Sequence, residues 1–159
     1  SALHGVCTFL NRGERVAMAN ILIVDDEVLI APLISDCLER FGHTTKIARS
    51  AVGALGWMDL EDFDLVVLDI MMAGPLDGLD LCGAIRSDPR KARSKILMIS
   101  GIHDMEENAI RAGADAFLPK PFDLMEIITC VSDLLETRRA EWPSRRGHSI
   151  REMIHSYNA

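Results

Sequence analysis

No apolar run in this sequence approaches the roughly 18 residues that a membrane-spanning helix requires, so a helical membrane protein is not expected. The opening stretch, SALHGVCTFLNRGER, has no basic head followed by a long apolar centre, which argues against a secretory leader. Cysteine is sparse and never paired. Cys7, Cys37, Cys82 and Cys130 form no C-x-x-C motif, so buried free thiols are expected rather than a zinc site or a disulfide framework. The five histidines, at 4, 43, 103, 148 and 155, show no ligand spacing and read as surface residues. Positive charge is short as well: residues 20–137 hold 10 basic and 21 acidic groups, a net −11, which speaks against nucleic-acid binding by that body. What these absences leave is a globular protein, expected in the cytosol.

What is present has a clear rhythm. Short β-rich runs, NILIVDD (20–26), TTKIA (44–48), LVVLD (65–69), KILMIS (95–100) and AFLP (116–119), alternate with stretches of helical period. Ile30, Leu33, Ile34, Cys37, Leu38 and Phe41 form a stripe at i, i+3, i+4, i+7 that closes at Gly42. Ser50 is placed to cap a second helix running to Leu60, a third spans about Leu79 to Arg86, and a fourth runs from about Met105 to Ala112 and ends at Gly113. Leu124, Ile127, Ile128, Val131, Leu134 and Leu135 mark the fifth. Five βα units predict an α/β fold, a doubly wound parallel sheet between two helical layers.

In such sheets ligands bind beyond the carboxyl ends of the strands. Asp25 and Asp26 stand at the end of the first strand, Asp69 at the end of the third, Ser100 at the end of the fourth, and Lys120 just beyond the fifth. Two like charges about 4 Å apart near a surface repel by roughly 4 kcal/mol, so something must offset the grouping of acids. A helix cap needs one acid, and this rim supplies three. A hard cation such as Mg²⁺ is attracted by clustered carboxylates and itself binds phosphate oxygens. A lysine and a hydroxyl nearby suit the same oxygens, and an Asp between metal and lysine can attack phosphorus and carry an acyl phosphate.

The pieces VDDE after strand 1, LVVLDIMM and DG around strand 3, MISG after strand 4, and ADAFLPKPF around strand 5 stand in the order of a known family. Over residues 20–137 the chain resembles a response-regulator receiver domain of two-component signalling. The resemblance implies a flavodoxin-like sheet of order 2-1-3-4-5 flanked by five helices. It also implies Asp69 as the phosphoacceptor, and Mg²⁺ held by Asp25, Asp26, Asp69 and the Met71 backbone carbonyl. Ser100 would then be the hydroxyl that moves toward the phosphoryl group, Lys120 its ion partner, Phe117 the aromatic switch, and Lys120-Pro121 a cis peptide. The implied partners are a sensor histidine kinase or a histidine phosphotransfer protein, and a downstream protein reached through helix 4, strand 5 and helix 5. Two departures stand out. The family pattern D-x-x-M-P-x-x-D-G becomes DIMMAGPLDG, so Pro75, Asp77 and Gly78 fall one or two residues late and the loop is longer. Gly101 replaces the usual alanine, leaving more open access to the site.

Residues 1–19 lack periodicity and are expected to be an extension or a tag-derived segment before Met18. Residues 138–159 form a basic tail with five Arg and two Glu. Within it Ile150, Met153, Ile154 and Tyr157 predict a short amphipathic helix that could serve a homodimer or a partner. A stand-alone switch is the expected function. The rivals are a receiver fragment of a larger hybrid kinase or transcription factor, and an aspartyl-nucleophile phosphatase, whose haloacid-dehalogenase-like form would need D-x-D where this chain has DDE.

Overall fold

In the computed structural model, residues 18–136 are described. The tail 138–159 and most of the 1–19 segment lie outside that range. Five strands, β1 (Asn20–Val24), β2 (Thr44–Ala48), β3 (Leu65–Asp69), β4 (Lys95–Ser100) and β5 (Ala116–Pro119), alternate with five helices. The helices are α1 (Ile30–Arg40), α2 (Ala51–Leu60), α3 (Gly78–Ser87), α4 (Glu106–Ala112) and α5 (Leu124–Glu136). All strands are parallel in the order β2-β1-β3-β4-β5, the order that the resemblance implies.

β1 explains why its sequence is apolar without alternation: Ile21, Leu22, Ile23 and Val24 are all fully buried, because helices cover both faces. Successive side chains point to opposite faces. Ile21 and Ile23 pack with Ile34, Leu38, Ile127 and Val131 of α1 and α5. Leu22 and Val24 pack with Ala54, Met58, Leu81 and Ile85 of α2 and α3. β3 and β4 repeat the arrangement.

The helix ends follow local chemistry. The Ser50 hydroxyl accepts the Gly53 N–H at 3.0 Å and starts α2. Asp77 and Asp80 form a reciprocal capping box that starts α3 one residue before the apolar stripe begins. Cys37, Cys82 and Cys130 are buried thiols outside any disulfide. His43 corrects an expectation: it is only 6% exposed, and its Nδ1 accepts the Ala19 N–H at 3.3 Å. Its imidazole faces inward because Thr44 N–H bonds the Ala19 carbonyl and draws the start of β2 against residue 19.

Candidate functional site

The parallel sheet delivers the carboxyl ends of four strands to one rim, and this geometry gathers the polar side chains. Asp25 follows β1 and has no exposed surface; its backbone N–H is tied to the Ala48 carbonyl of β2 at 3.1 Å. Asp69 closes β3 at 2% exposure, Ser100 closes β4 fully buried, and Lys120 follows β5 with its N–H on the Ser100 carbonyl at 2.8 Å. The Lys120-Pro121 peptide is cis. The Lys120 ammonium reaches Glu27 Oε1 at 2.9 Å, Asp25 Oδ2 at 3.4 Å and Asp69 Oδ2 at 3.5 Å.

Asp69 titrates far from an ordinary aspartate. Burial pushes its carboxyl up to about 6, the neighbouring Asp25 charge adds to the rise, and Lys120 and the Met71 N–H oppose it. Lys120 itself is held above the ordinary lysine range: burial alone would lower it, but the hydrogen bond to Glu27 and the charges of Asp69 and Asp25 outweigh that. Each group thus depends on the other.

The acids that converge are Asp25, Glu27 and Asp69, whose oxygens lie within 4.8 Å of one another. Such a trio suits a hard divalent cation. Asp26, expected beside Asp25, stands apart from the trio, and its Oδ2 accepts the Ala73 N–H at 2.8 Å across the loop after β3. Glu27 is the residue that the strand-end argument missed, although it is the third acid of the DDE run. Met71 donates its N–H to Asp69 Oδ1 at 3.3 Å, and its side chain is exposed.

The lengthened loop has a definite course. Gly74 takes φ +119°, a left-handed value that favours glycine, and it lies exposed between exposed Ala73 and Pro75. Gly78 then brings the chain back so closely that a Cβ there would collide with the Asp69 carbonyl oxygen and lie 2.7 Å from Ile70 Cα. Its N–H bonds the Ile70 carbonyl at 2.9 Å. At Gly101 a Cβ would meet only the Lys120 Cβ at 4.0 Å, so there is room to spare. The Ser100 hydroxyl accepts the Ile102 N–H at 3.0 Å. Phe117, expected to move into space left by Ser100, is already 6% exposed and belongs to the core cluster on the sheet face that carries α2, α3 and α4.

Comparison with known proteins decides what this rim belongs to: residues 21–132 match the response regulator receiver domain. The chain is a member of that family. A receiver of this kind is a signalling switch. Among curated relatives, the nitrogen assimilation regulatory protein NtrX of Azorhizobium caulinodans is 37% identical over 123 residues, 76% of this chain and 27% of the relative. The DNA-binding dual master transcriptional regulator RpaA of Synechocystis is 32% identical over 134 residues, 83% of this chain and 55% of its own. The chain therefore spans about a quarter to a half of the length of these relatives. Among solved structures, the receiver domain of NtrX from Brucella abortus is 40% identical with a TM-score of 0.68, over 74% of this chain and 98% of that one. A response regulator from Chloroflexus aurantiacus is 29% identical with a TM-score of 0.71, over 76% and 99%. Among the described residues of this receiver, no helix is long and apolar enough to cross a membrane.

Proposed function

We propose that this receiver takes a phosphoryl group from a phosphohistidine onto Asp69 and presents a changed surface to a downstream protein. The observation that carries this is Asp69 itself, a buried carboxylate at a strand end with Lys120 on one side and Asp25 on the other. In the transfer an Asp69 oxygen forms the bond to phosphorus as the P–N bond to the imidazole breaks, and that bond's electron pair returns to the ring nitrogen. Asp69 reacts as the carboxylate and gives up no proton. Lys120 meets the charge on the phosphoryl oxygens, and the Ser100 hydroxyl, turned from the Ile102 N–H, donates to another.

Asp25, Asp69 and the Met71 carbonyl, joined by Asp26 once it leaves the Ala73 N–H, would hold Mg²⁺, while Glu27 of the converging trio is engaged by Lys120. When bound, the cation neutralises charge that develops on the transferred group. The carboxylates fit it because their oxygens lie within 4.8 Å of one another around Asp69, whose charged form burial and then the Asp25 charge disfavour and a divalent charge would favour.

The phosphodonor must cover the rim beside Asp69. There an apolar groove of about 760 Å³ runs along Ile30, Leu33, Phe122, Leu124 and Met125 and is continuous with Lys120 and Pro121. Val28 and Leu29 stand 70% and 82% exposed just before α1. We assign this face to a helical phosphohistidine protein, either a sensor kinase or a phosphotransfer protein. The chain works in the cytoplasm on this reading, and its body, at −11, does not contact nucleic acid. That RpaA is named DNA-binding belongs to that longer protein.

Acetyl phosphate with Mg²⁺ should label the chain once, and Asp69→Asn should remove the label. An Asp69→Asn protein that is labelled as strongly as the native one would sink the assignment.

A further inference from the structure

Lys120 lies among three carboxylates, and the nearest is not one that a strand end delivers. Its ammonium is 2.9 Å from Glu27 Oε1 but 3.4 Å from Asp25 and 3.5 Å from Asp69. The first distance is that of a charge-assisted hydrogen bond, and the other two are at the weak limit. The reach is built in: the Glu27 N–H is held by Asp25 Oδ1 at 2.8 Å, which fixes the Glu27 backbone beside the site while its side chain extends over Lys120. A phosphoryl group on Asp69 would bring about two negative charges to within reach of the same ammonium. Lys120 cannot satisfy both with its best geometry.

We propose that Glu27 is a positioning residue that holds Lys120 off Asp69 in the unphosphorylated protein and releases it to the phosphoryl group. The inference rests on Asp69 being the phosphoacceptor. Its physical basis is an asymmetry of exposure: the Glu27 side chain is 54% exposed, whereas Lys120 is 18% and Asp69 2%. Water screens the Glu27 pair, so the pair is weak enough to exchange. A phosphoryl group seated on buried Asp69 is screened less and wins the ammonium. Glu27 thereby slows transfer until a donor supplies that charge.

Two substitutions separate this hold from simple repulsion of an anionic donor. Glu27→Gln removes the charge. Glu27→Asp keeps it but withdraws the carboxylate by one methylene from Lys120. With acetyl phosphate and Mg²⁺, both variants should be phosphorylated about three- to fivefold faster than the native chain, the span expected from loss of a partly exposed ion pair. In the metal-free protein, the Lys120 ammonium signal in NMR should exchange with water faster in both variants, a change that a merely structural role would not produce. A Glu27→Asp protein with the native rate beside a fast Glu27→Gln protein would assign the effect to repulsion and overturn the hold. Native rates in both variants would overturn it too. A native chain that takes no label would overturn the Asp69 reading and this inference together, whereas a labelled native chain with unchanged variants overturns this inference alone.

Discussion

A carboxylate that is 2% exposed and beside Asp25 resists ionisation, and Asp69 makes that resistance measurable. Its folded value is raised from 3.8 to about 6, so the unfolded chain releases this proton first as pH rises. The contribution of Asp69 to stability is therefore fully present below about pH 4 and is lost as pH climbs through about 6. At pH 8 without metal, Asp69→Asn should be more stable than the native chain by about 1 to 3 kcal/mol, and the gap should close toward pH 4. Urea melts in EDTA at the two pH values check this. A mutant no more stable at pH 8 would mean that neither burial nor the Asp25 charge opposes ionisation of Asp69. His43 behaves in the opposite sense. Burial lowers its imidazole below the usual value, with Asp64 opposing, so the stability it lends should fall as pH drops through 6.5. Asp25, Asp69, Ser100 and Lys120 are legible in the sequence because the residue that ends a parallel strand reaches the rim whatever the tertiary detail. Glu27 and His43 are not legible, since one depends on where Lys120 extends and the other on a turn that brings Ala19 over the imidazole.

Among the elements, the segment between β3 and α3 carries the most constraint. Gly78 packs against the β3 backbone, and neither Asp69 nor Ile70 can shift without moving the Asp69 carboxylate at the rim. Gly78→Ala should destabilise the fold by roughly 2 to 4 kcal/mol, by the same logic as other substitutions that force backbone apart. A chemical denaturation midpoint equal to that of the native chain would show that the loop yields. Deleting Ala73 should free Asp26 from its hydrogen bond and change the decay of the phosphorylated form several-fold, about 1 kcal/mol of barrier. An unchanged decay would mark the loop as a bystander. The extra residue of this loop is visible in the spacing of DIMMAGPLDG, but its route is not, because a left-handed Gly74 and a hydrogen bond to Asp26 are both tertiary choices. Helices are legible where a stripe or a cap stands out, the stripe for α1 and α5 and the Ser50 cap for α2. α3 starts at Gly78, one residue before the expected Leu79, where a capping box of two aspartates, Asp77 and Asp80, sets its first turn. Phe117 is legible as an apolar strand residue, and its burial makes it part of the core before any phosphoryl group arrives.

At the scale of the whole molecule, the order β2-β1-β3-β4-β5 is what the receiver resemblance implies, and the unbroken apolar runs of β1, β3 and β4 announce strands covered on both faces. Charge is the other global property that sequence carries. The chain has a net charge of −7, and residues 138–159 contribute +3, so truncation after 137 leaves −10. Like charges spread over one compact body destabilise it, and salt relieves them once the screening length falls well below the size of a domain, from about 14 Å at 0.05 M to about 4 Å at 0.5 M. Raising NaCl between these concentrations should therefore shift the urea midpoint of the truncated protein upward more than that of the full chain. The comparison isolates the tail's five arginines, because residues 18–136 and the site they carry are the same in both proteins. Equal shifts would mean that the arginines of the tail do not sense the acidic body at all. A larger shift in the full chain would mean that they repel a basic surface rather than offset an acidic one. The smaller shift expected of the full chain requires only that +3 of charge lie within a screening length of the −11 body at low salt.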